Sequence, residues 1–304
     1  MIAIGVDIGG THLRIGCVDE SYSVVDFVQV PQRMVLTGDS STRLADYIKE
    51  YIQKYAKNMS IIGVCVGFPA AVDKNRAVVL NAPNIHGFNG IDVKAVLQKH
   101  LDIPVIIEKD TNLLLIHDIA KHDIPGDDTI IGCYIGTGLG NAMMIDGKIF
   151  VGYNGVACEL GHIPAWDQEH RCSCGNIGCI EPLVAGKYLV SMCKEFFPNT
   201  EISDIFEKHG NDSRIEKYIR NLAIPIATEV NIIDPSTVIL GGGVVSMKKF
   251  PCEKLVEAIR FYVRKPLPEK NLKFIISDDN HESGVIGAGI NTFKQGLVHR
   301  IPNT

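Results

Sequence analysis

Residues 172–179 read CSCGNIGC, which places three of the chain's nine cysteines within eight positions. Ten residues upstream of the first stands His162, in the stretch ELGHIP. Three thiols and one imidazole form a complete tetrahedral complement for zinc. Gly175 and Gly178 let the chain turn tightly around an ion. A disulfide fits less well, because a Cys-x-Cys pair is too close to close easily and the thiols are odd in number. All four ligands come from protein and leave no open position for water, so the zinc predicted here is structural. Binding through one ring nitrogen of His162 leaves the other to hold a neighbour or a substrate.

Three glycine-rich stretches carry a second kind of chemistry. DIGGTH (7–12) follows an apolar run, so a strand delivers Asp7 to a turn of Gly9, Gly10, Thr11 and His12. Glycines let backbone N–H groups approach an anion, Thr11 adds a hydroxyl donor, and Asp7 beside phosphates calls for Mg²⁺. The same residues could also be a plain hairpin turn. GTGLGNA (136–142) resembles a dinucleotide fingerprint, but NAMMIDGKIF after it reads as strand and turn where that fingerprint needs a helix. A second phosphate-binding hairpin of Gly136, Thr137 and Gly138 fits better, with Thr137 facing a γ-phosphate. Gly241, Gly242 and Gly243 end a strand. They suit a backbone lying flat on an adenosine, or equally a strand-to-helix connection. In EKDTN (108–112), Asp110 ends a buried strand, where α/β folds place ligand chemistry and where it could accept a proton from a hydroxyl. An N-cap for the helix TNLLLIHDIA is the other reading.

The elements that hold these residues alternate. Helical spacing puts Leu44, Ile48, Tyr51, Ile52 and Tyr55 on one face of 41–58. Residues 61–69 and 103–110 read as buried strands, 212–234 as a long helix containing Pro225, 236–242 as a strand and 284–298 as a final helix. Strands alternating with helices predict an α/β fold. Residues 4–19 and 131–146 also echo each other without gaps at an offset of 127, which suggests two related domains, each opening with a hairpin. A length of 304 residues likewise predicts two domains. The net charge of −5 gives no reason to expect a nucleic-acid or membrane partner. No signal peptide or spanning segment is legible, so the reading is cytoplasmic, with most of Cys17, Cys65, Cys133, Cys158, Cys193 and Cys252 as small buried hydrophobes.

Taken in order, DIGGTH, GTGLGNA, CELGHIP, CSCGNIGCIE and GGG resemble the ROK family of sugar kinases and repressors over essentially the whole chain. The resemblance implies an actin-like (hexokinase-type) ATPase fold, α/β, with two related domains and a cleft. The domains would be 1–115 plus about 288–304, and 116–287 with the zinc loop. It implies MgATP as phosphoryl donor, a sugar as acceptor, and a homodimer. Asp110 would be the base for the sugar's 6-hydroxyl, and Asn84, Glu159, His162 and Glu181 would hold the other hydroxyls. The family's glucose-type kinases have Glu-Asn-Asp where this chain has Glu108-Lys109-Asp110, and commonly G-x-P-G where it has GFPA ending at Ala70. Both departures resemble the allose kinase branch, so Lys109 is a candidate sugar contact and D-allose the expected substrate. Glucokinase or N-acylhexosamine kinase activity is the alternative within the family. The family's repressors carry an added N-terminal helix-turn-helix, for which VDIGG beginning at residue 6 leaves no room. A catalytically silent sugar sensor would not need Asp110 and both phosphate turns.

Overall fold

Both glycine-turned hairpins form, and each begins a sheet. The structure, a computed structural model, describes residues 1–278 and 280–298. β1 (Ile2–Ile8) and β2 (His12–Asp19) pair antiparallel, and β3 (Val24–Pro31) extends the ribbon. The expected helix over 41–58 is α1 (Ser40–Tyr55). Asp39 caps it by accepting from the Thr42 N–H, and Leu44, Ala45, Ile48 and Tyr51 make its buried face. β4 (Ile61–Phe68) then lies parallel to β1. β5 (Ala71–Val72), β6 (Val78–Asn81) and β7 (Ile91–Asp92) form a small sheet of their own. After α2 (Val93–Leu101), β8 (Val105–Lys109) lies parallel to β4 and leads directly into α3 (Asp110–Lys121).

The second half repeats the plan. β9 (Ile130–Ile135) and β10 (Leu139–Ile145) pair antiparallel, with β11 (Lys148–Ile149) beyond them. Four helices follow: α4 (Glu181–Val184), α5 (Gly186–Phe196), α6 (Ile205–His209) and α7 (Ser213–Ile233), the last containing Pro225. β12 (Thr237–Gly241), α8 (Cys252–Tyr262), β13 (Lys273–Ile276) and α9 (Ser283–Val298) complete the chain. The two five-stranded sheets run β3-β2-β1-β4-β8 and β11-β10-β9-β12-β13. In each, an antiparallel hairpin is continued by two parallel strands, so the echo at offset 127 marks equivalent hairpins.

The chain divides into two compact units. One holds Met1–Ile124, Val151–Ala157 and the segment from Asn280, and the other holds Pro125–Phe150 and the chain from Cys158 through β13. Ile4, Val6, Leu13, Leu44, Val64 and Ile107 anchor the first core, and Ile131, Ile135, Leu222, Ile226 and Val238 the second. The expected boundaries, 115/116 and about 287/288, fall inside α3 and α9. Both helices stay whole with the first unit because they pack on each other. Residues 299–304 of the expected C-terminal segment lie outside the described residues. Among the described residues no helix is long and apolar enough to cross a membrane. Most of the six scattered cysteines are buried as expected, namely Cys17, Cys65, Cys133 and Cys193, and Cys158 and Cys252 are partly buried. Burial pushes the Cys65 thiol up to about 12.

The fit of α9 depends on absent side chains. A Cβ at Gly287 would overlap the Leu113 carbonyl oxygen on α3, and one at Gly5 on β1 would overlap the Val285 carbonyl oxygen on α9. Gly287→Ala gains about 0.5–1 kcal/mol of helix propensity. Forcing the two helices apart costs more, about 1–3 kcal/mol. The expected net result is a lowered Tm and denaturation midpoint. A melt at or above the wild-type Tm would show that α3 and α9 separate without loss.

Candidate active site

Asp7 is the penultimate residue of β1 and stands directly opposite Arg14 of β2 in the hairpin register. Arg14 donates to its carboxylate at 2.9 Å, and the Arg14 Nε donates to Gln29 at 3.1 Å. Burial holds the Asp7 carboxyl above its ordinary value, with Arg14 opposing that rise. The Gly9 N–H closes the turn onto the His12 carbonyl at 2.8 Å. Gln32 braces the turn from outside, its side-chain amide donating to the Gly10 carbonyl and its backbone N–H to that of Thr11. Gly10 and Thr11 are exposed at the tip and His12 begins β2. Asn84 lies beside this turn, its Cβ 3.9 Å from where a Gly10 Cβ would stand.

Across the sheet Asp7 is in register with Gly67 of β4, and Gly67 with Glu108 of β8. Asp7, one residue before the end of β1, and Asp110, one residue past the end of β8, therefore stand at the same edge of the sheet, with β4 between their strands. A Cβ on Gly67 would stand 3.6 Å from the Asp110 Cα, so glycine lets the start of α3 approach β4 closely. Lys109, not Asp110, occupies the N-cap position of α3, and it makes no side-chain cap hydrogen bond. Asp110 is the first helical residue, with Oδ1 accepting from the Thr111 N–H at 2.7 Å. The capping alternative for Asp110 is thus replaced by a carboxylate in the first turn, where the helix dipole favours negative charge.

In the second unit the β9–β10 turn closes from the Gly136 N–H to the Gly138 carbonyl at 2.9 Å, with Thr137 exposed at its tip. Glu181 reaches this turn. Its Oε2 accepts from the Leu139 N–H at 3.0 Å, and a Cβ at Gly138 would overlap the carboxylate. The same oxygen lies 3.2 Å from where a Gly161 Cβ would stand, so Glu181 touches both the second glycine turn and the short 3₁₀ helix Leu160–His162. The three glycines at the end of β12 differ from one another. Gly242 has φ +89° and would clash with the Ile135 backbone, and Gly241 would press on Ser277 and Tyr134, so packing accounts for both. Gly243 is exposed, with nothing within 4 Å of its Cβ position.

The four expected zinc ligands come together. One ligand atom from each of His162, Cys172, Cys174 and Cys179 lies within 4.8 Å of all the others. Cys172 Sγ is 3.6 Å from His162 Nδ1, and Cys174 Sγ is 3.6 Å from Cys179 Sγ. Bonds of about 2.3 Å to sulfur and 2.0–2.1 Å to nitrogen around one centre require separations of this size, so the group fits a tetrahedral ion. Gly175 (φ +98°) and Gly178 (φ +75°) supply the left-handed turns that wrap the loop. With Nδ1 facing the thiols, His162 Nε2 points the other way and is 3.7 Å from Glu159 Oε2.

Three contacts escaped the motif reading: Arg14 on Asp7, Glu181 on the Leu139 amide, and a buried Arg76–Glu108 pair at 3.1 Å beside Asp110. Only the first had a sequence signal, because folding 4–19 as a hairpin about its glycines sets positions 7 and 14 opposite each other.

The ROK family model matches residues 3–293. A glucokinase of Halalkalibacterium halodurans is 25% identical over 309 residues, covering 94% of this chain and 93% of that one. An N-acetyl-D-glucosamine kinase of Photobacterium profundum is 28% identical, covering 79% of this chain and 83% of that one. A ROK family glucokinase from Streptomyces griseus, solved in complex with glucose and AMPPNP, superimposes with a TM-score of 0.80 at 25% identity. That alignment covers 97% of this chain and 100% of the other. A family match over nearly the whole length and a shared α/β hexokinase-type fold make this chain a member of the ROK family.

Proposed function

We propose that this chain is an ATP-dependent hexose kinase that phosphorylates the 6-hydroxyl, with D-allose as its preferred acceptor. The observation that carries the kinase reading is the placement of two carboxylates, Asp7 and Asp110, at the same edge of one sheet beside a glycine turn and Asn84. In this reading Asp7 positions the magnesium of MgATP through water, and Gly9–Thr11 and Gly136–Gly138 receive the phosphates, with Gly243 against the adenosine. Asp110 takes the proton from the 6-hydroxyl as that oxygen attacks the γ-phosphorus and the bond to ADP breaks. General-base help of this kind contributes about 10²–10⁴-fold, and positioning with charge neutralisation supplies most of the rest. Asn84, Glu159, His162 and Glu181 hold the remaining sugar hydroxyls. A zinc ion on His162 Nδ1, Cys172, Cys174 and Cys179 supplies no chemistry. It fixes the loop, and with it the direction of His162 Nε2.

The epimer rests on Lys109 and Ala70. Lys109 is in register with Phe68 at the ends of β8 and β4, and Ala70 follows Phe68 by two residues, so the two departures from the glucose-type pattern are neighbours. A donor-only cation in place of an amide alters the hydrogen-bonding offered beside Asp110. The relatives named glucokinase and N-acetyl-D-glucosamine kinase support a second reading, in which Lys109 plays no part in selection and glucose or an N-acylhexosamine is the acceptor. Coupled ADP release with MgATP and a panel of hexoses, including both C3 epimers, separates them. The expected result is a kcat/KM for D-allose above those for glucose, mannose and the N-acylhexosamines. A higher value for any of these replaces the allose reading, and no turnover on any sugar removes the kinase reading.

A further inference from the structure

Glu108 and Arg76 form an ion pair at 3.1 Å with side chains only 7% and 14% exposed. Charges so far from water are costly, and apolar residues of similar volume would hold the fold as well. Their value therefore lies in what they orient. The Glu108 Oε1 atom accepts from the Lys109 N–H at 2.8 Å and from the Asn112 side-chain amide at 2.8 Å. These two donors flank Asp110, one before it in sequence and one in the first turn of α3. On the other side, the Arg76 guanidinium donates to the Val72 carbonyl at 3.4 Å and to the Gly155 carbonyl at 3.2 Å.

Arg76 is itself held in place. It has φ +53° in a turn closed onto the Asp73 carbonyl, and the Asp73 carboxylate accepts from the N–H groups of Asn75, Ala77 and Val78. Gly155 lies flat on this turn. With φ +88°, it stands where a Cβ would overlap the Asp73–Lys74 backbone, and Lys74 Nζ sits 5.5 Å from the centre of the Tyr153 ring. The segment so tied, Val151–Ala157, runs directly into Cys158 and Glu159.

We propose that Arg76 is a positioning residue for the phosphoryl transfer: through Glu108 it sets the Lys109 N–H and the Asn112 side chain on either side of Asp110, and through Gly155 it ties that start of α3 to the segment leading into Glu159. The inference rests on the kinase reading above. Arg76→Met alone would strand the Glu108 charge and endanger folding. The informative variants are therefore Arg76→Lys, which keeps the charge but not the fork, and Arg76→Met combined with Glu108→Gln, which leaves no unpaired charge. The expected result for the double variant is a kcat lowered roughly 10- to 100-fold, the scale of a small misplacement of a reacting group. Its KM for ATP should stay within about threefold of wild type. Arg76→Lys should recover part of the loss. Amide exchange by mass spectrometry should rise in peptides covering 108–113 and 151–157 and nowhere else in the first unit. A double variant with kcat within about twofold of wild type overturns the proposal, as does unchanged exchange in those two peptides. A wild-type enzyme inactive on every hexose removes the kinase reading and the catalytic part of this inference together. The exchange result then decides separately whether Arg76 clamps these segments.

Discussion

Asp110→Asn is expected to lower kcat by about 10²–10⁴-fold while leaving the MgATP dissociation constant within about threefold of wild type. The substitution is close to isosteric, and the amide oxygen can still accept from the Thr111 N–H, so the first turn of α3 keeps its shape. Losing a carboxylate in that turn costs about 0.3–1 kcal/mol of helix-dipole interaction, too little to unfold the domain. What disappears is the capacity to take a proton. Steady-state kinetics on the best hexose, with ATP binding measured calorimetrically, test this directly. Activity within about tenfold of wild type would remove Asp110 from the role of base.

The second large effect concerns the metal. The purified protein is expected to contain one zinc ion, and Cys179→Ser is expected to abolish its binding. Apart from the ligands, the loop is held by a few contacts, among them His170 Nε2 at 2.9 Å from the Cys179 carbonyl. Besides local turns it shows two isolated bridges, Pro164 to Cys179 and Arg171 to Ile177. Structural zinc sites of this composition contribute on the order of 10–16 kcal/mol in small peptides, so the ion would dominate the loop's local stability. Its loss should raise the hexose KM by roughly tenfold or more, because His162 and its neighbour Glu159 lose their anchor. The KM for ATP should change much less. Trp166, the chain's single tryptophan, sits 93% exposed between His162 and Cys172, so its fluorescence anisotropy should fall as a chelator strips the ion and the loop loosens. Elemental analysis finding no zinc, together with wild-type kinetics for Cys179→Ser, would discard both the metal and its role.

Much of this arrangement was legible before folding because its determinants are local. The continuous apolar runs of β1 and β4 and the 3.6-residue period of α1 are local patterns, set by burial of both strand faces and of one helix face. The repeat between residues 4–19 and 131–146 foreshadowed two sheets with the same strand order. The Cys₃His set was legible because three of its ligands fall within eight residues and the intervening glycines admit the required turns. The roles of Gly241, Gly242 and Gly243 were not separable in this way. A glycine that packing requires and one that faces open space look alike in sequence, and only the Ile135 backbone beside Gly242 and the open space beside Gly243 distinguish them.

The family, the α/β alternation, the positions of Asp7 near the end of β1 and Asp110 after β8, and the Cys₃His cluster are written in residues close together along the chain. Tertiary structure alone decided that α3 and α9 remain whole in the first unit and that Val151–Ala157 belongs with them. It alone brought Arg76 to Glu108 and Glu181 to the Leu139 amide. These pairings join residues 32 and 42 positions apart, where no periodicity connects the partners and only chain packing fixes which buried polar group will satisfy which other.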